Sequence, residues 1–214
     1  MSKQTTYIFD LDGTLLDTLG DLAASANYAL RQHRLPEHTT DDIRRFVGNG
    51  VRRLIERAVP PGTDPAQTEE VLATFRRYYM HHALDTTRPY AGIAETLHEL
   101  RRRGCPMAVV SNKMMAATQE LVAHFFPEIT VAIGENEAAG ISRKPAPDTV
   151  DEALRRLGAE RQAAVYVGDS EVDILTARNA GLPCISVLWG FRDREFLLRH
   201  GATRLISRPE ELVT

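Results

Sequence analysis

An α/β fold, in which a parallel sheet carries a separate helical segment, is the architecture this sequence predicts, on three observations. Short and almost wholly apolar runs recur from residue 90 onward. Amphipathic stretches with helical spacing alternate with them. Between residues 16 and 88 the apolar runs disappear and only the helical spacing remains. Strands that are apolar on both faces belong to a sheet covered on both sides, which is how parallel sheets are built.

The first strand is the apolar run leading into "YIFDLDGTL", Tyr7 to Leu15. Four helical runs follow: "DLAASANYALRQH", "TDDIRRFVG", "VRRLIERAV" and "PAQTEEVLATFRRYYMHHAL". Thr40 or Asp41 is placed to cap the second, and Pro65 suits the first turn of the fourth. No strand is expected in this block, which reads as a small all-helical cap domain, 16–88, with hinges at 16–18 and 85–89. The core, 1–15 and 89–214, resumes with "AGIAETLHELRRRG", a helix with a basic last turn and a glycine stop. Strand and helix then alternate through "CPMAVVS", "KMMAATQELVAHFF", "EITVAIG", "APDTVDEALRRLG", "AAVYVGD", "EVDILTARNAG", "PCISVLWG" and "DREFLLRHG", with a last short strand at "ATRLIS". The result is a Rossmann-like parallel-sheet core. Such sheets bind ligands at the carboxyl ends of their strands, where Asp10, Ser111 and Asp169 fall.

Composition narrows the functional classes. The chain has 214 residues, 43% hydrophobic and 26% charged, a globular rather than a disordered balance. Its formal charge of −3 offers no electrostatic reason for a nucleic-acid partner. No apolar stretch approaches the ~20 residues of a membrane helix, and "MSKQTTYIFD" lacks the apolar core of a secretion signal. A soluble cytoplasmic protein, monomer or homodimer, is the expectation, with Cys105 and Cys184 as buried free thiols rather than a disulfide. There is no internal repeat.

The acids carry the chemistry. Residues i and i+2 of a strand face the same way, so Asp10 and Asp12 can address one site. Two adjacent carboxylates repel unless a cation or a proton intervenes, and Mg²⁺ suits such oxygen ligands. Asp169 ends another predicted strand, and Asp173 lies one helical turn beyond it. Ser111 in "VVSN" and Lys144 in "RKPAP" fall on the same edge, making a place for a phosphate bound with a metal.

"DLDGTLLDT", "VVSNK", "KPAP" and "GDSEVD", in this order and spacing, resemble the four signature motifs of the haloacid dehalogenase superfamily of phosphohydrolases. The helical insert sits where one branch of that superfamily carries its cap. The resemblance implies that Asp10 is a nucleophile forming an aspartyl-phosphate, and that Asp12 protonates the leaving alkoxide and then activates water. It further implies that Ser111 bonds a phosphate oxygen and that Lys144 positions phosphate and nucleophile. Mg²⁺ would be held by the Asp10 carboxylate, the Asp12 carbonyl and Asp169, with Asp173 orienting a metal-bound water. Thr14 and Asn112 complete the expected phosphate contacts.

In the insert, "FVGNGVRRLIERA" is similar to the "VGNG" segment of bacterial phosphoglycolate phosphatases. Gly48, Asn49 and Gly50, with Arg52 or Arg45 nearby, are the expected contacts for a second negative group on the substrate, such as a carboxylate. Arg143 departs from that subfamily, where a smaller polar residue commonly precedes the motif lysine. A small phosphorylated metabolite is the implied substrate, 2-phosphoglycolate first. A β-phosphoglucomutase-like transferase, a sugar-phosphate or broad phosphatase, and a phospho-acceptor signalling module are the alternatives.

Each motif also has an ordinary reading. Asp-Gly closes turns, Ser111 and Asn112 suit a helix cap, Asp169 and Asp173 suit a helix start, and Gly48 and Gly50 can simply break two helices. The arginine clusters read as solvated faces, His81–His82 as surface, and Trp189 with the aromatic residues of the insert as core.

Overall fold

Strand β1 (Thr6–Phe9) lies in the middle of a sheet because Ile8 and Phe9 are apolar and buried. The computed structural model describes residues 4–136 and 140–214; Met1–Lys3, where the predicted core segment begins, lie outside the described residues. Two compact units are present, Met1–Leu16 with Pro89–Thr214, and Asp17–Arg88.

In the first unit, β1 is joined by β4 (Met107–Met114), β5 (Val131–Glu135), β6 (Ala164–Gly168), β7 (Cys184–Val187) and β8 (Leu205–Ile206). The six strands run in the order β5-β4-β1-β6-β7-β8, and every described pairing is parallel. The order reverses at β1: the chain goes first to β4 and β5 on one side, then to β6, β7 and β8 on the other. A reversal of this kind opens a crevice at the carboxyl end of the central strand. Helices α5 (Ile93–Arg102), α6 (Met115–Phe125), α7 (Asp148–Leu157), α8 (Glu171–Asn179) and α9 (Arg194–Arg199) fill the connections. Every residue of β6 is buried, as a strand covered on both faces requires. Ile8, Val110, Ile133, Val150 and Tyr166 form much of the core beneath α7 and α8.

One boundary differs from the sequence expectation. Strand β4 continues through Ser111, Asn112 and Lys113 to Met114, and α6 starts only at Met115. The residue at the head of that helix is Met114, without a side-chain cap. Ser111 and Asn112 therefore do not cap it. The cause is a register shift against β5 between Val110 and Met114. Bulged backbone stays extended while it leaves regular pairing, and it re-aims the side chains it carries.

The second unit contains α1 (Leu19–Gln32), α2 (Thr40–Phe46), α3 (Gly50–Ala58) and α4 (Pro65–His82). Helix α1 packs on α2 and α4, and α3 packs on α2 and α4, burying Leu22, Leu30, Ile43, Ile55 and Phe75. Thr39, rather than Thr40 or Asp41, caps α2: its Oγ1 accepts from Asp42 N at 3.2 Å, and its own N–H donates to Asp42 Oδ2 at 3.1 Å. Pro65 opens α4 behind the cap Asp64. Strand is present at both ends of the insert: β2 (Leu16–Asp17) and β3 (Arg88–Pro89) form a separate two-stranded sheet. A two-residue strand is too short to carry a periodic signal.

Phe75 and Tyr79 are core, whereas Tyr28, Phe46 and Tyr78 are half-buried, as is Trp189 in the other unit. His81 is exposed, and His82 sits 2.7 Å from Asp85. Cys105 and Cys184 are free and half-buried. No helix among the described residues is long and apolar enough to cross a membrane.

Candidate active site

Asp10 is the first residue beyond β1, and its N–H still donates to Val167 O of β6 at 2.9 Å. The chain then turns tightly: Leu11 O accepts from the N–H groups of Thr14, Leu15 and Leu16 at 3.0–3.3 Å. Gly13 permits the turn, with φ of 86°, a left-handed conformation that costs a side-chain-bearing residue free energy. A Cβ there would also lie 2.8 Å from the Asp169 carboxyl carbon. The motif glycine is thus required by backbone and by space, and it lets the loop lie against the second acid.

Lys144 gathers the acids. Its Nζ lies 2.7 Å from Asp10 Oδ1, 2.7 Å from Asp173 Oδ1 and 3.0 Å from the Tyr166 hydroxyl. Burial by itself would lower this ammonium, but the charges of Asp10 and Asp173 outweigh that and raise it. Its loop is pinned by Asn112, whose Oδ1 accepts from Lys144 N at 2.8 Å and whose Nδ2 donates to Lys144 O at 3.0 Å. Asn112, expected at the substrate, therefore has its amide on the backbone of the motif lysine.

Asp173 is held on both oxygens. Oδ1 accepts from Lys144 and Tyr166, and Oδ2 accepts from Ser170 N and Oγ at 3.0 and 2.6 Å. Ser170, not Asp169, is the cap of α8. Asp169 Oδ2 accepts from Phe191 N at 2.7 Å.

Asp10, Asp169 and Asp173 converge, each offering an oxygen within 4.8 Å of the others. Burial first, then repulsion from Asp173, pushes the Asp10 carboxyl up to about 7 despite Lys144. Asp169 is raised well above the usual carboxylate range by burial, Asp173 and Asp10, in that order. Three buried carboxylates with one lysine among them are short of positive charge. Oxygen-only donors of this kind fit a hard divalent cation, so these residues suit the metal that the motifs imply.

Asp12 contributes no side chain to that set. Its Oδ1 lies 3.0 Å from Lys113 Nζ. Ser111 is buried, and its Oγ accepts from Lys113 N at 3.2 Å. Thr14 is buried with no hydrogen-bond partner for Oγ1 among the described residues, while its carbonyl accepts from the Trp189 indole at 2.9 Å.

Gly48, Asn49, Gly50 and Arg52 all belong to the helical unit. Gly48 and Gly50 are both left-handed, with φ of 120° and 81°, and Asn49 heads α3 without a side-chain cap. Arg52 forms an ion pair with Glu69, the second contact being Nη2 to Oε2 at 3.1 Å.

The model of the family described as "haloacid dehalogenase-like hydrolase" matches residues 7–187. The chain belongs to the haloacid dehalogenase-like hydrolases. It is 32% identical over 208 residues to a phosphoglycolate phosphatase of Aquifex aeolicus, covering 96% of this chain and 93% of the relative. A phosphoglycolate phosphatase of Mesorhizobium japonicum is 35% identical over 190 residues, covering 87% and 84%. Among solved structures, a candidate phosphoglycolate phosphatase from Lactobacillus delbrueckii subsp. bulgaricus superposes with a TM-score of 0.91 at 39% identity, covering 98% of this chain and 97% of its own.

In this hydrolase the motif acids do not act alone, and sequence reasoning gave no role at the site to Tyr166, to the loop Trp189–Phe191 or to Lys113 of the second motif. Tyr166 links Lys144 to Asp173. The loop Trp189–Phe191 binds the backbone of Thr14 and the carboxylate of Asp169. Lys113 reaches Asp12. Only Lys113 carried a signal, since alternation along β4 places residue 113 on the side of residue 111.

Proposed function

We propose that this hydrolase is a Mg²⁺-dependent phosphomonoesterase that cleaves 2-phosphoglycolate through an aspartyl-phosphate on Asp10. The observation that carries the reading is the buried Asp10 carboxylate, held 2.7 Å from Lys144 beside two further converging acids. The names of its relatives support the phosphate ester, and 2-phosphoglycolate in particular.

Asp10 attacks phosphorus as the bond to the ester oxygen breaks. Asp12 gives its proton to the departing oxygen, then takes one from the water that cleaves the Asp10–phosphorus bond and releases inorganic phosphate. Lys144 offsets charge on the nucleophile and the phosphoryl group, and Ser111 bonds a phosphoryl oxygen. Mg²⁺, held by Asp10, the Asp12 carbonyl and Asp169, would supply the remaining positive charge. Asp173, already engaged by three residues, keeps Lys144 and the head of α8 in place.

The helical unit is proposed to carry the substrate selectivity: Gly48, Asn49 and Gly50 offer the amides heading α3 to a carboxylate, and Arg52 assists them once it leaves Glu69. The assignment is tested by phosphate release with Mg²⁺ and with EDTA, comparing kcat/KM for 2-phosphoglycolate, β-glucose 1-phosphate and several sugar phosphates. A metal-dependent preference of about a hundredfold for 2-phosphoglycolate, ~2.7 kcal/mol in the transition state, is the expected outcome. Equal rates across the panel would remove the substrate and leave the phosphatase; no release from any ester would remove both.

A further inference from the structure

Lys113 is a buried charge that the four motifs leave without a task. It is 3% exposed. Its Nζ lies 3.0 Å from Asp12 Oδ1, and the two side chains are only 2% and 15% exposed. Withdrawing an ammonium from water is costly unless a hydrogen-bond acceptor meets it, so this pair is a built contact rather than a chance surface meeting. The backbone is arranged for it as well. Lys113 lies where the register of β4 against β5 shifts, between Val110 and Met114, and its N–H donates to Ser111 Oγ. Lys144 attends Asp10 and Asp173. The two acids of the first motif therefore have different lysines.

We propose that Lys113 is a positioning residue for Asp12, its ammonium fixing the carboxyl group in the orientation from which the proton reaches the leaving oxygen. This rests on the phosphatase reading above. In the first step the phosphorus–ester oxygen bond breaks with its electron pair going to oxygen, and the Asp10–phosphorus bond forms. The Asp12 O–H bond breaks and its proton goes to that oxygen, leaving a carboxylate beside an ammonium already in place. An alkoxide is too basic to leave without that proton, whereas nitrophenolate departs as a stable anion. Loss of orientation at Asp12 therefore slows alkyl esters selectively. A role in charge balance or in phosphate binding would slow both classes alike, because both carry the same phosphate.

The experiment is single-turnover release of the leaving group from 2-phosphoglycolate and from p-nitrophenyl phosphate with Mg²⁺, in the wild type, Asp12→Asn, Lys113→Met and Lys113→Gln. Asp12→Asn defines the signature of a missing proton donor. Lys113→Met is expected to slow glycolate release roughly 10²-fold, in the range of general acid catalysis, and nitrophenolate release less than about threefold. Where thermal unfolding shows that Lys113→Met does not fold, Lys113→Gln, which keeps a donor near Asp12, carries the same comparison with an expected selective loss of at least about fivefold. Equal losses on both esters, or none on 2-phosphoglycolate, would overturn the assignment of Lys113. A wild type that releases neither product would instead remove the phosphatase reading itself.

Discussion

Asp10 shows why a catalytic residue is not placed for stability. It is 7% exposed, and burial and Asp173 push its proton affinity up. Asp10→Asn removes a negative charge from this crowded set while Lys144 keeps Asp173 as its partner. Turnover is expected to fall roughly 10⁴-fold or more, while Tm in EDTA at pH 8 stays level or rises. Steady-state kinetics beside thermal unfolding checks both halves, and wild-type turnover in the variant would remove the nucleophile. At this scale much was legible. Asp10 and Asp169, read at strand ends, converge with Asp173, read one helical turn beyond. Tyr166 was not legible, because a tyrosine inside an apolar strand reads as core, and only the fold brings its hydroxyl to Lys144, 22 residues away in the chain.

At the scale of elements, the same local device has two different consequences. Thr39 caps α2 and Ser170 caps α8, each with an aspartate three residues on. Asp42 in the first box has a neighbouring arginine, Arg45, as its further partner. Asp173 in the second is tied to Lys144. Thr39→Ala and Ser170→Ala are each expected to cost about 1 kcal/mol, the usual value of a lost cap. Only Ser170→Ala should lower kcat, about tenfold, because it removes one of the two bonds on Asp173 Oδ2 and so loosens the partner of Lys144. Denaturant unfolding and initial rates on both variants check this; an equal kcat effect would disconnect the cap from the site. Helices and strands were readable from their periods. The end of β4 was not, because the shift that carries Ser111 and Lys113 past Val110 depends on pairing with β5, a segment about twenty residues further on.

Across the whole molecule, the buried acids set the response to pH. In the unfolded chain Asp10 ionises near 3.8, and in the fold near 7. Between those values the native state holds the extra proton, so stability is greatest at the acid end and declines as pH rises toward 7. Asp169 is shifted in the same direction. Glu99 and Glu152 are pulled down to about 2 by hydrogen bonds from Arg102 and Arg103, and from Arg155 and Arg156. Their opposite slope lies below pH 4.5, outside the window. Tm in EDTA is therefore expected to fall between pH 5 and 7. Mg²⁺ at a hundredfold its Kd should restore about 2.7 kcal/mol at pH 7.5, roughly 5–10 °C for a protein of this size, and flatten the slope. Calorimetry across pH with and without the metal checks it, and a Tm that rises with pH in EDTA would contradict the buried-acid account.

The sequence by itself determined the parallel-sheet class, the run of elements and the acids at strand ends, because apolar periodicity and turn chemistry are local properties. Only the tertiary structure decided which lysine meets which acid, that Asn112 holds the Lys144 loop, and that Trp189 and Phe191 close on Thr14 and Asp169. Those contacts join segments up to 175 residues apart. Their partners are selected by burial and charge after the chain has folded, and beyond the alternation that puts Lys113 on the side of Ser111 no spacing along the sequence encodes them.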